Sequence, residues 1–81
     1  MNSETTRFSF TTDKSDNVRE LMTYVLNALK EKGYNPINQM VGYILSGDPS
    51  YITSYNNART MISRIDRDDL VEEILKDYLR K

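Results

Sequence analysis

The sequence predicts an all-α fold: a small compact bundle of four to five short helices with a disordered N-terminal arm, pairing as a homodimer. Three observations predict it. Apolar residues recur at helical spacing through several segments, and no stretch alternates convincingly as a strand. A Gly, cap and Pro punctuation occurs twice, once with Gly33, Asn35 and Pro36 and again with Gly47, Asp48 and Pro49. Finally, 81 residues with 38% apolar content and no Cys make a thin core without disulfide or thiolate-zinc staples. A second copy of the chain is the expected source of the missing burial.

Residues 1–14, MNSETTRFSFTTDK, read as the arm, and residues 15–81 as a helical dimerisation domain. Phe8 and Phe10 are the arm's only large apolar residues, too few to offset the entropy of ordering it. The alternation at Arg7, Phe8, Ser9 and Phe10 also permits a short strand that docks on the body.

The first helix is expected over 16–32. Val18, Leu21, Met22, Val25, Ala28 and Leu29 form one stripe at i, i+3, i+4 and i+7. Asn17 with Glu20 fits a capping box, with Ser15 or Asp16 as caps one turn earlier. Lys30 and Lys32 suit the negative end of the helix dipole. Gly33 is placed to end this helix in the left-handed conformation that a Cβ makes costly.

The second helix, 36–46, starts where Asn35 offers a capping oxygen and Pro36 needs no amide partner. Ile37, Met40, Val41, Ile44 and Leu45 form its stripe, and Gly42 and Tyr43 extend it beyond one face. A helix apolar over more than half its circumference is packed on more than one side. It is therefore the expected centre of the core or of a dimer interface, made by Met40, Val41, Tyr43 and Ile44. Gly42 reads either as a point of close backbone approach or as a tolerated residue on an exposed face.

After Pro49 a short helical turn over 50–53 leads to a helix over 55–64, with Ala58, Met61, Ile62 and Ile65 as its stripe. Asp66 then caps a last helix, 67–80, whose Leu70, Val71, Ile74, Leu75, Tyr78 and Leu79 are expected to face inward.

Composition narrows the chemistry. The net charge of −1 gives no bulk attraction to nucleic acid or anionic lipid. The absence of His removes the side chain best suited to proton transfer near neutral pH. No phosphate-binding, nucleophile-elbow or zinc motif is present, and no base is visible for a Ser or Thr nucleophile. The expectation is a non-enzyme without cofactor or metal. No signal-peptide pattern and no membrane-spanning apolar run occur, so a cytoplasmic protein without membrane insertion is expected.

Two charged groups carry alternative readings. Asp68, Asp69, Glu72 and Glu73 stand at i, i+4 spacing and could hold a hard cation, but acids also gather at helix starts. Arg59, Arg64 and Arg67 form the densest basic group and could bind phosphate, the basis of an alternative reading as a nucleic-acid-associated module. The interleaved Asp66, Asp68 and Asp69 favour local ion pairing instead. Tyr34, Tyr43, Tyr51 and Tyr55 crowd one stretch in a way that suits a contact surface.

The segments GYNPINQ and SGDP, with ETTRFSF before them and NNARTMISRIDRDDLVEEIL after them, resemble the IreB-like family of small bacterial proteins over nearly the whole chain. The resemblance implies a helical homodimer with a disordered arm. It further implies a substrate of a membrane-anchored Ser/Thr kinase with extracellular cell-wall-binding repeats, opposed by a cognate phosphatase. Phosphorylation of the arm would link the protein to cell-envelope stress and antibiotic tolerance through a downstream partner that the sequence does not name. Glu4, Thr5, Phe8 and Phe10 match the family's arm pattern, which carries the acceptor role to Thr5. Thr6 stands where the family usually has an apolar residue and adds a second candidate hydroxyl.

Overall fold

A computed structural model describes residues 13–80. Four α-helices follow one another, α1 (Lys14–Lys32), α2 (Pro36–Ser46), α3 (Ala58–Ile62) and α4 (Arg67–Leu79), and no strand occurs among the described residues. Two 3-10 turns, Pro49–Tyr51 and Tyr55–Asn57, connect α2 to α3. The fold class is the all-α bundle expected. The arm with Thr5, Thr6, Phe8 and Phe10 lies outside the described residues.

α1 begins earlier than the sequence suggested. Asp13 is its N-cap, accepting a hydrogen bond from the Ser15 amide at 2.9 Å, which places Asn17 inside the helix. Its end is as expected. Gly33 takes φ +92°, its amide donates to the Lys30 carbonyl and that of Tyr34 to the Leu29 carbonyl, a Schellman closure. Both punctuations then form as written: Asn35 caps the amides of Ile37 and Asn38, and Asp48 caps that of Ser50. Each cap is worth ~1 kcal/mol.

The core sits on α1. Val25 and Leu29 are fully buried with Ile52, Ile62 and Leu70, drawn from the turn region, α3 and α4. Each such side chain contributes ~1.5–3 kcal/mol by leaving water. Arrangement around α1 explains two corrections. The expected helix over 55–64 is broken, because Asn56 and Asn57 both take positive φ, 52° and 62°, and only residues 58–62 are α-helical. Asparagine tolerates that region better than most residues do. The Tyr24 hydroxyl donates to the Asn56 carbonyl at 2.7 Å and ties this kink to α1.

The second correction concerns α4. Leu70 is buried and Val71 half-buried, but Ile74, Leu75, Tyr78 and Leu79 are exposed, and Glu73 turns inward instead. Among the described residues the core covers one side of α4, so these apolar positions stay at least partly open to solvent. Gly42 meets neither expectation: the Tyr51 ring lies against it, 2.5 Å from where a Cβ would stand.

Candidate functional site

Residues of α1, α2 and α4 at the margin of the core and beyond it line an open groove of roughly 490 Å³. Met22 and Leu26 come from α1, Ile37, Val41 and Ile44 from α2, and Ile74 from α4. A more open depression of roughly 600 Å³ shares Ile44 and continues over Val71, Leu75 and Leu79. Exposure on this side is high, at 73% for Ile37, 79% for Leu45 and 77% for Leu79. Scattered exposed apolar residues are ordinary, but a contiguous run on two adjoining helices marks a contact surface.

Of the four residues expected at a dimer contact, Val41 and Ile44 belong to this surface. Tyr43 and Met40 are buried in the core of one chain, although Met40 also reaches the groove floor. Two of the other tyrosines also make contacts within the chain. Tyr51 covers Gly42, and Tyr55 lies under the Lys32 ammonium, 5.3 Å from the ring centre. A hydrogen bond to the Glu31 carboxylate pushes the Tyr55 hydroxyl's pKa up. Their crowding therefore reflects the packing of the connecting turns as well as any contact.

Ion pairs rim the groove. Glu73, only 3% exposed, sits between α1 and α4. Its Oε2 accepts from Lys76 at 3.3 Å, while the Arg19 guanidinium stands 3.8 Å from Oε1, where no donor meets full hydrogen-bond geometry. The Ser15 hydroxyl, then Lys76 and Arg19, hold its carboxyl below the usual range against the opposing effect of burial. Arg19 also stands 3.8 Å from Asp77. Sequence reading missed the burial of Glu73; the i, i+3 pairing with Lys76 was the available signal.

The acidic group is divided between partners. Lys14 takes Asp69 at 3.2 Å, and Lys76 takes Glu72 at 3.6 Å. The carboxylate oxygens of Asp66, Asp68 and Asp69 lie within 4.8 Å of one another at the exposed start of α4, where the helix dipole favours negative charge.

The three arginines have different surroundings. Arg59 Nε donates to the Ile52 carbonyl at 2.8 Å. Arg67 Nη1 donates to the Ile44 carbonyl at 2.9 Å, and its guanidinium occupies the space beside Gly47 that a Cβ would need. Arg64 lines a separate hollow beside Lys14 and Asn17. Among the described residues no ion pair joins these arginines to Asp66, Asp68 or Asp69, so the expected local pairing gives way to carbonyl capping for two of them.

The model of the IreB regulatory phosphoprotein family matches residues 3–80. The chain belongs to that family. It is similar to a UPF0297 protein of Ruminiclostridium cellulolyticum, 59% identical over 76 residues that cover 94% of this chain and 86% of the relative. A UPF0297 protein of Acetivibrio thermocellus is 56% identical over 80 residues, covering 99% and 89%. The family is one of regulatory phosphoproteins, which places the chain's role in regulation. No described helix is long and apolar enough to cross a membrane.

Proposed function

We propose that this chain is a non-enzymatic, phospho-regulated protein of the cytoplasm that acts as a homodimer. Its modification is placed on the arm by a membrane Ser/Thr kinase and removed by a cognate phosphatase. The reading rests on one observation above all: the match to regulatory phosphoproteins begins at residue 3 and so includes Thr5 and Thr6. Thr5 is the main acceptor and Thr6 the alternative. Phosphate there adds close to two negative charges and three acceptor oxygens that a downstream protein, in envelope stress or antibiotic tolerance, can read.

The dimer contact belongs to the exposed α2–α4 stripe, with Ile44, Leu45, Leu75 and Leu79 as its centre and Val41 at its edge. A second copy is the occupant that a chain with so thin a core most needs. Nucleic-acid binding is the weaker reading, since the net charge is −1 and Arg59 and Arg67 each turn one guanidinium N–H to a backbone carbonyl.

Mass spectrometry after incubation with the kinase tests the assignment on wild type, Thr5→Ala, Thr6→Ala and the double variant. Phosphate should fall sharply in Thr5→Ala and vanish in the double variant. Undiminished phosphorylation of the double variant overturns it.

A further inference from the structure

We infer that the outer half of α4, from Glu73 onward, is a flap on the wall of the groove, and that Arg19 is the clasp that holds it to α1. The inner half of the helix is anchored. Leu70 is fully buried, Lys14 pairs with Asp69 at 3.2 Å, and Arg67 bonds the Ile44 carbonyl. The outer half has no such anchor. Its apolar side chains are all exposed, from 39% at Ile74 to 77% at Leu79, so little apolar burial holds it down. The one side chain it buries is the Glu73 carboxylate.

The tie between that carboxylate and α1 is narrow. Lys76, three residues further along α4, bonds Glu73 but moves with the same helix. Among the described residues only Arg19 and the Ser15 hydroxyl reach Glu73 from α1. Asp77, one turn further out, repeats the pattern: its ion pairs are with Arg80, close in sequence, and again with Arg19. A single guanidinium thus spans both outer turns. It stands 3.8 Å from each carboxylate, beyond full hydrogen-bond distance of either, and its side chain is 42% exposed to water and competing ions.

A neutral hydroxyl compensates a buried charge less well than a cation does, so a Glu73 that loses Arg19 turns back to water. The half-helix follows, because nothing else on it is buried. Glu73, Ile74 and Asp77 form the α4 wall of the groove, with Arg19, Met22 and Leu26 opposite on α1, so the movement widens the groove. The flap also carries Leu75 and Leu79 of the proposed dimer contact, and opening it withdraws them. That last consequence rests on the dimer reading; the clasp does not, and its test reads the clasp alone.

Amide hydrogen exchange on the full chain, followed by nuclear magnetic resonance, is that test. In Arg19→Gln the amides of residues 76–79 should exchange about tenfold faster than in wild type, while those of 25–29 keep their rate. Raising sodium chloride from about 0.02 to about 0.5 M should speed exchange at 76–79 in wild type, because salt screens exposed ion pairs, and add little in Arg19→Gln. The salt series on wild type needs no variant to fold. Asp77→Asn, which removes the outer partner alone, should give a smaller acceleration than Arg19→Gln. Equal acceleration at 25–29 and 76–79 overturns the inference, since it reports a general loss of stability. So do unchanged exchange at 76–79 in Arg19→Gln, wild-type exchange there that ignores salt, or a salt effect as large in the variant as in wild type.

Discussion

The two sides of this bundle are built from the same kind of sequence and meet different fates. On one side α1, α3 and the start of α4 close over Val25, Leu29, Ile62 and Leu70, all of them fully buried. On the other, α2 and the rest of α4 carry an equally apolar stripe that stays open, from Ile37 and Leu45 to Leu75 and Leu79. Helical periodicity identifies an apolar face, but it does not say which molecule covers that face. In a chain this short the closed side specifies the fold, and the open side is where the proposed dimer contact falls.

The sharpest way to break the comparison is to delete a side chain on the closed side. Leu29→Ala should cost ~2–5 kcal/mol, a large share of the stability of so small a domain, read as a lower midpoint in urea denaturation. A loss under about 1 kcal/mol would mean that the core can collapse around the gap. On the open side, Leu45→Asp should leave the helical circular dichroism of the chain intact and yet halve the mass in sedimentation. An unchanged dimer mass would move the contact away from α2.

The two glycine stops separate by what surrounds them. Gly47→Ala should be the costlier, at ~1–3 kcal/mol, because a Cβ there meets the Arg67 guanidinium as well as a φ of +74°. Gly33→Ala has open space and only the strain of φ +92°, for ~1 kcal/mol. Thermal melts of both variants check the order.

The smallest effect is a pH dependence at the seam between the two sides. The Glu73 carboxyl titrates below its ordinary value of 4.5 in the folded chain, so its contribution is complete above that value. It is lost as the pH falls through the depressed folded value, because the unfolded chain takes up its proton first. Asp48, lowered chiefly by the Ser50 amide, changes in the same direction. Glu73→Gln should lower the melting temperature at pH 7 and flatten its fall between pH 5 and 3. A slope as steep as that of wild type would remove Glu73 as its source.

Much of this fold could be read in the sequence because its instructions are local. Gly33, Asn35 and Pro36, then Gly47, Asp48 and Pro49, act within one turn of themselves, and they form as their chemistry dictates. What escaped depends on distant neighbours. Tyr51 meets Gly42 only once the chain has turned, and Arg67 meets Gly47 across twenty residues of sequence. The Asn56–Asn57 kink was legible in kind, since Asn suits positive φ, but its place is held from afar by Tyr24. For the same reason the candidate site was half visible: Val41 and Ile44 carry the right chemistry, while the packing decided that Tyr43 would be enclosed.

Arg67 gives the open side a mechanical character. By bonding the Ile44 carbonyl from the first residue of α4, it latches the beginning of one exposed helix to the end of the other. The contact crosses the connection through both 3-10 turns and α3, so the two helices cannot slide past each other without breaking it. Whatever settles on that surface meets two helix ends already joined, and parting them costs about 1 kcal/mol for the bond itself.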